Sequence, residues 1–143
     1  MDLLERARAL ARCPLFAELA PAVVIRLAER ARPSSLEAGE RRTTDDHVWI
    51  VADGGLAIVA RGEAAFDVSV SSMKRHGTVA TAGHIVGLIR VVAPATPVVE
   101  AIADRATTVL AIGLDDMRDV LEEDPVALAA LADALARQLL DPT

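Results

Sequence analysis

Between Ser34 and Ile112 the chain consists of short runs in which apolar residues alternate with other residues, and glycines separate the runs. Apolar residues fall at Val48, Ile50, Leu56, Ile58, Phe66, Val68 and Val70, and the separating glycines are Gly39, Gly54, Gly55, Gly62, Gly77 and Gly83. Alternation with a period of two is typical of half-buried strands, and glycine is typical of the turns between them. This segment therefore predicts an antiparallel β-roll.

Both ends of the chain have helical periodicity instead. Apolar residues recur at helical spacing at Leu3, Leu4, Ala7, Leu10 and Ala11, and again after Pro21 at Val23, Val24, Leu27, Ala28 and Ala31. Near the carboxyl end, Asp115 is predicted to cap a helix that runs through Leu121. The final helix is predicted to begin at Asp124-Pro125, with Asp124 as its N-cap and Pro125 in its first turn. The predicted fold is mainly β, with an N-terminal helical pair and C-terminal helices.

The composition limits the classes of function. A chain of 143 residues fits one domain that buries roughly two thirds of its unfolded surface. Aromatic residues make up 2%, so the core is expected to be aliphatic, with Trp49 as its one large side chain. A formal charge of −6 argues against nucleic-acid binding by this segment. The single cysteine and the lack of an apolar span favour a cytoplasmic protein, with no membrane segment.

Catalytic and metal-binding patterns are not found. The three histidines, His47, His76 and His84, lack a His-x-His pair or a carboxylate at ligand spacing, so no metal and no cofactor are expected. Ser69, Ser71 and Ser72 have no nucleophile elbow around them, and Cys13 has no histidine beside it in the sequence. The chain is therefore not predicted to be an enzyme.

A series of landmarks identifies the family that the chain resembles. In sequence order they are Cys13-Pro14-Leu15-Phe16, Leu19-Ala20-Pro21, Ala38-Gly39-Glu40, Asp53-Gly54, Gly83-His84, Gly87 and Leu114-Asp115-Asp116-Met117. At nearly these spacings they resemble cyclic nucleotide-binding domains of the Crp/Fnr-like and kinase regulatory-subunit-like type. The resemblance implies a β-roll of the double-stranded β-helix or jelly-roll kind, with a loop between Glu40 and Gly54 about four residues shorter than usual.

The resemblance also implies domain bounds. One domain is expected over 1–143, with N-terminal helices at 1–33, the β-roll at 34–113, a phosphate-binding cassette at 83–103, and C-terminal helices at 114–143. The apolar stretch from Leu88 to Val92 is ambiguous by itself, because it is short and bracketed by Gly87 and Pro94. The resemblance makes it the single-turn helix of the cassette.

The cassette keeps its frame and lacks its charged groups. In the family, a glutamate after the glycine holds the ribose, and an arginine ten residues past the glycine pairs with the cyclic phosphate. Here Gly87 is retained, but Leu88 occupies the glutamate position and Pro97 the arginine position. Because the loss of a buried charged partner costs about 2–5 kcal/mol, we expect cyclic AMP and cyclic GMP not to bind.

The remaining cassette residues define a degenerate site for any ligand that does bind. Its members are Gly87, Leu88, Ile89, Arg90, Pro97, Val98, Val99 and Glu100. Arg90 and Glu100 are candidates for an internal ion pair that fills the empty site, in a closed cassette with Leu88 packed inward. The alternative is that Arg90 extends outward over an apolar turn.

The last predicted helix carries a leucine stripe with two interpretations. Leu128, Leu131 and Leu135 either pack against the chain's own β-roll or form the interface of a homodimer through the C-terminal helix. The function most consistent with the sequence is a noncatalytic regulatory or protein-interaction module with an unidentified protein partner. Two alternatives stay open: a small-molecule sensor of altered specificity, in which Leu88, Val98 and Val99 line an apolar cavity, and the sensor half of a Crp/Fnr-type transcription regulator.

Overall fold

The computed structural model describes residues 1–59, 79–93, 95 and 98–140. The expected strand residues Phe66, Val68 and Val70 lie outside these ranges. In chain order the described elements are α1 (Leu3–Ala11), α2 (Pro21–Arg30), β1 (Arg32–Leu36), β2 (Arg41–Thr43), β3 (His47–Asp53), β4 (Gly55–Val59), β5 (Val79–Thr81), β6 (Ile85–Val86), α3 (Ile89–Val92), β7 (Glu100–Ala103), β8 (Thr107–Gly113), α4 (Leu114–Glu122) and α5 (Pro125–Leu140). The predicted fold class is confirmed.

The strands form two antiparallel sheets. The helix-side sheet has the order β1-β8-β3-β6, and the outer sheet has the order β2-β7-β4-β5. Strand β3 pairs with β8 from His47 opposite Gly113 to Asp53 opposite Thr108, with one irregularity between Val51 and Asp53. The helices contact the helix-side sheet, so this sheet lies between the helices and the outer sheet.

The middle position of the helix-side sheet explains why β3 is buried on both faces. Val48 and Ile50 belong to the core between this sheet and the helices. Trp49 and Val51 point the other way, into the interior between the two sheets. Val48 and Ile50 share one face as the alternation predicted, but Trp49 and Val51 are buried as well, so the prediction of a half-buried strand is wrong for β3.

The helix-side core joins all the long helices to the sheet. Its largest fully buried members include Leu10, Phe16, Leu27, Ile112, Met117 and Leu121. Two surface ion pairs join α2 to α4. Arg30 pairs with Asp116 in α4, and Arg26 pairs with Glu123, the residue that follows α4. Within the described ranges, no helix has the length and hydropathy that crossing a membrane requires.

One of the two predicted C-terminal caps is confirmed and the other is wrong. The Asp124 carboxylate accepts hydrogen bonds from the backbone N–H groups of Val126 and Ala127, at 3.1 and 3.2 Å. Asp115, by contrast, is not a cap, because α4 begins one residue earlier at Leu114, with Gly113 in the cap position. Asp115 lies in the first turn, where it pairs with Arg118.

The turn between β3 and β4 depends on Gly54. Its φ is +102°, and a Cβ atom built there would lie 2.5 Å from Thr107 Oγ1. That hydroxyl accepts a hydrogen bond from the Gly55 N–H at 3.1 Å, so the turn is fastened to the start of β8. Gly39 also has a positive φ, +84°, but nothing lies within 4 Å of the equivalent Cβ position.

These two glycines provide a matched pair for a stability test. We expect Gly39→Ala to lower the free energy of unfolding by about 1 kcal/mol, the ordinary cost of a left-handed backbone for alanine. Gly54→Ala should cost at least about 2 kcal/mol more, because it adds a steric clash with Thr107. Urea denaturation measures both values. Equal losses for the two variants would contradict the contact assigned to Gly54.

His84 lies in the turn between β5 and β6 and is half-buried. Its Nδ1 atom accepts a hydrogen bond from the Thr81 backbone N–H at 2.7 Å. Burial lowers the pKa of His84 below its ordinary value near 6.5, because the imidazolium form loses hydration. The unfolded chain therefore binds more protons than the folded chain just below pH 6.5, and stability falls as the pH drops through that range.

Replacing His84 should flatten this pH dependence. Asparagine at this position keeps a hydrogen-bond acceptor in the turn but does not titrate. We expect the free energy of unfolding of the wild type to decrease between pH 7 and about pH 5.5 more steeply than that of His84→Asn. Urea denaturation across this range gives both slopes, and parallel slopes would show that His84 does not carry the effect.

Candidate functional site

The cassette is built around a turn and a single helical turn. Gly87, with φ +85°, connects β6 to α3, and its carbonyl accepts a hydrogen bond from the Arg90 N–H at 3.3 Å. The Leu88 carbonyl accepts from the Val91 N–H at 3.0 Å. The amides of Arg90 and Val91 are therefore used within the turn itself.

Leu88, which was predicted to occupy the family's glutamate position, packs into the protein. It is 1% exposed and belongs to the helix-side core, as does Val91. Val99 lies instead in the interior between the two sheets, and Val98 is 39% exposed. Leu88, Val98 and Val99, which were expected to line one apolar cavity, therefore occupy three different environments.

The other predicted cassette residues are placed less completely. Ile89 is the first residue of α3, and Glu100 is the first residue of β7. Pro97, at the position of the family's arginine, lies outside the described residues. Within the cassette, the structure therefore describes Gly83 to Ala93, Ala95, and the residues from Val98 onward.

The turn that follows β2 fastens the end of the cassette. Residues 44–47, here called the 44–47 turn, connect β2 to β3. The Thr44 N–H donates to the Val99 carbonyl at 2.9 Å, and the Val99 N–H donates back to Thr44 Oγ1 at 3.2 Å. Thr44 is 1% exposed, so this reciprocal pair is shielded from water. It holds Val99 immediately before β7 begins.

The same turn contacts three further parts of the chain. The Asp45 carbonyl accepts from the Arg90 guanidinium, and the Asp46 carbonyl accepts from the Leu114 N–H at 2.9 Å. A Cβ atom built on Gly87 would lie 3.4 Å from the His47 carbonyl oxygen. The 44–47 turn therefore lies against the cassette glycine and joins the cassette to the start of α4. This turn lies within the segment from Glu40 to Gly54 that was expected to be shorter than usual.

Arg90 and Glu100 each have a defined contact. Besides its contact with Asp45, Arg90 lines a cleft of about 450 Å³ with His47, Asp115 and Arg118. The Glu100 carboxylate forms an ion pair with Arg41 of β2. An ion pair between Arg90 and Glu100 stays a prediction.

A second link joins the cassette helix to α4. Arg118 Nε donates to the Val91 carbonyl at 3.2 Å, while Arg118 Nη1 contacts the Asp115 carboxylate at 3.1 Å. The carbonyl at the end of α3 is therefore satisfied by a side chain from the following helix. Together with the 44–47 turn, this contact connects α3 to α4 on two sides.

The interior between the sheets is apolar throughout the part of the chain that the structure describes. Its members are Leu36, Trp49, Val51, Leu56, Ala80, Val86, Val99, Ala101, Ala103 and Val109. Thr44 and Thr107 are the buried polar residues of the described ranges, and their hydroxyl groups already bond to backbone. Ribose and phosphate groups need polar partners when they are buried, and this cluster supplies none.

Of the residues first considered for chemistry, Cys13 and His84 have structural positions, whereas His76, Ser69, Ser71 and Ser72 lie outside the described residues. Cys13 is buried, and desolvation raises the pKa of its thiol to about 11, so the thiol is protonated at neutral pH. His84 holds a turn, as described above. Among the described residues, no group of three or more His, Cys, Asp or Glu side chains is arranged to hold a metal ion.

The predicted leucine stripe of α5 divides between two environments. Leu131 is 3% exposed and belongs to the helix-side core, so it serves the chain's own packing rather than an outward-facing interface. Leu128 is 40% exposed. Leu135 lies within α5, and the structure does not describe its side chain.

Comparison with known proteins bears on the fold. Neither a protein-family model nor a curated protein matches this sequence. Among solved structures, the N-terminal domain of a transcriptional regulator from Streptomyces coelicolor is similar, with a TM-score of 0.68 at 22% identity, covering 92% of this chain and 90% of that one. A cyclic nucleotide-binding-like protein from Brucella abortus has a TM-score of 0.59 at 24% identity, covering 82% and 98%.

A eukaryotic protein also shares this architecture. The regulatory subunit of a cAMP-independent protein kinase A from Trypanosoma brucei has a TM-score of 0.68 at 16% identity, covering 98% of this chain. This chain spans about half of that subunit, 49% of its length. Two sheets in this order, flanked by these helices and matched by these neighbours, give the chain the fold of a cyclic nucleotide-binding domain.

Proposed function

We propose that this chain is a noncatalytic regulatory module that interacts with a protein partner and does not bind cyclic AMP or cyclic GMP. The observation that carries the proposal is the burial of Leu88 in the helix-side core. A glutamate that holds a ribose must point into a ligand site, whereas Leu88 contributes to the packing of the helices.

Three further features support the proposal. The residues between the sheets are apolar, Pro97 replaces the arginine of the cassette, and the 44–47 turn already uses the backbone groups of Val99. Loss of two charged anchors at about 2–5 kcal/mol each converts a micromolar site into a millimolar or weaker one, since 1.4 kcal/mol is about tenfold in affinity. One structural neighbour is itself described as the subunit of a cAMP-independent kinase.

Titration calorimetry tests the proposal directly. We expect no saturable heat when cyclic AMP or cyclic GMP is added at concentrations up to about 1 mM, and no increase in melting temperature, because a ligand that binds only the folded state must raise it. A 1:1 isotherm with a dissociation constant in the low micromolar range would contradict the proposal.

Restoring the glutamate should damage the fold rather than create a site. Leu88→Glu places a charge in the helix-side core, and we expect it to lower the free energy of unfolding by several kcal/mol. Val98→Glu adds the same charge at an exposed cassette position and should change stability by less than about 0.5 kcal/mol. Urea denaturation with and without cyclic AMP measures both. A folded Leu88→Glu variant that cyclic AMP stabilises would show that position 88 faces a ligand site.

A small-molecule sensor is the second candidate, and the cleft beside the cassette favours it. This cleft, of about 450 Å³, is lined by Arg90, Arg118 and His47 together with three carboxylates, those of Asp46, Asp115 and Asp116, and it adjoins both α3 and α4. Its volume is within the usual range for ligand sites. Arg90→Ala should then abolish a melting-temperature increase caused by a small polar ligand, and the absence of any such increase in a screen of polar metabolites would reject this candidate.

The regulatory module proposed here is also compatible with the sensor half of a transcription regulator. The similarity to the Streptomyces coelicolor domain favours it, because that domain comes from a transcriptional regulator. With a formal charge of −6, the chain itself is not expected to bind DNA. A gel-shift experiment with the isolated chain should therefore show no retardation of duplex DNA at physiological salt, and retardation would contradict this assignment of roles.

A further inference from the structure

An apolar groove lies between α1 and α2, on the side of the fold formed by the N-terminal helices. Its volume is about 410 Å³, and its lining residues are Ala7, Arg8, Ala11, Phe16, Ala17, Leu19, Pro21, Val24 and Ile25. Three alanines keep its walls low, and buried Phe16 and Leu19 lie beneath them. Leu4, which is 56% exposed, extends the apolar surface by one turn of α1.

Arg8 is the charged residue of this groove. Its side chain is exposed, and no ion pair joins it to another described residue. The acidic residues at the start of α1 are already used, because the N-cap Asp2 and Glu5 in the first turn bond to each other's backbone in a capping box. A segment that occupies the groove is therefore expected to be apolar, with one carboxylate placed to meet Arg8.

The outward face of α5 has this character. Ala127, Leu131 and Ala134 face the core, so the opposite side of the helix presents Ala129, Ala132, Asp133 and Ala136 to solvent, flanked by Val126 and Leu128. Val126 is 79% exposed, the highest exposure of any large apolar residue in the described ranges. Asp133 is the one charged residue between Pro125 and Ala136, and no described residue forms an ion pair with it.

We propose that two copies of this chain associate by placing the outward face of α5 from one copy into the α1–α2 groove of the other, with Val126 in the groove and Asp133 paired with Arg8. Val126 and Asp133 lie two helical turns apart, about 10 Å along the axis and on one side of the helix. The alanines between them allow close approach to the alanine walls of the groove. This inference does not depend on the loss of nucleotide binding.

The contact differs from the leucine-stripe dimer predicted from the sequence. That interface required Leu131, which the chain's own core uses. In the proposed contact each copy supplies one helix and one groove, so a closed two-fold dimer contains the Asp133–Arg8 pair twice. Two helix contacts of this size form a modest interface, and we expect the dimer to dissociate on dilution and more readily in high salt.

Charge reversal with rescue tests the proposal. Sedimentation equilibrium of the full chain over a wide concentration range should give a dimer for the wild type. Arg8→Glu and Asp133→Arg should each raise the dimer dissociation constant at least about tenfold, because each reverses a charge at both copies of the contact. The Arg8→Glu/Asp133→Arg double variant should recover most of the wild-type affinity.

Matched controls separate the contact from general charge effects. Asp119 is an exposed acidic residue of α4, so Asp119→Arg makes the same change of net charge as Asp133→Arg at a site away from α5 and should leave the dissociation constant unchanged. Both reversed residues are exposed, and melting curves check that every variant is folded. Three results would each overturn the proposal: a monomeric wild type at every concentration, a double variant no tighter than the single variants, or dissociation by Leu128→Glu with no effect of reversal at Arg8.

Discussion

The reciprocal hydrogen bonds between Thr44 and Val99 hold the site region in its observed arrangement. Each bond contributes only about 1 kcal/mol net, but Thr44 is buried, so breaking either bond would also leave a polar group without water. The pair closes a contact between residues 55 positions apart in the sequence. Because Val99 immediately precedes β7, the contact also positions the strand that lies between β2 and β4 in the outer sheet.

Besides its contact with Val99, the 44–47 turn forms hydrogen bonds with the cassette helix and with α4. The Asp45 and Asp46 carbonyls accept from Arg90 in α3 and from the first amide of α4, and Arg118 returns from α4 to the end of α3. In a ligand-binding cassette, backbone groups and an arginine are available to a phosphate. Here the corresponding segment is stabilised by the protein itself, which is the physical basis for proposing a module whose conformation does not depend on a nucleotide.

Much of the architecture could be predicted from local patterns. Helical periodicity located α1 and α2, and the Asp124-Pro125 pair located the start of α5, because these signals act within a few residues. The double burial of β3 was not predicted, since Trp49 and Val51 are buried by an outer sheet made from distant strands. Asp115 was assigned as a cap because sequence patterns place helix starts only to within a few residues, and Gly113 precedes the helix instead.

The site was predictable in composition but only partly in geometry. The absence of the two charged anchors was predicted by the family resemblance, which aligns Leu88 and Pro97 with them. The inward packing of Leu88 was predicted as part of a closed cassette. The division of the α5 leucines between core and surface depends on how helices dock, which a single sequence does not specify. The role of Thr44 was missed because a lone threonine in a short loop carries no pattern. The segment from Glu40 to Gly54, which was expected to be short, contains this turn, and the turn lies against Gly87.

Amide hydrogen exchange measured residue by residue tests the central claim, that the cassette is held by internal contacts and not by a nucleotide. The account predicts that the amides of Thr44 and Val99 are protected in the absence of any ligand, and that millimolar cyclic AMP leaves their exchange rates unchanged. Fast exchange of both amides in the free chain, followed by strong protection when cyclic AMP is added, would contradict it.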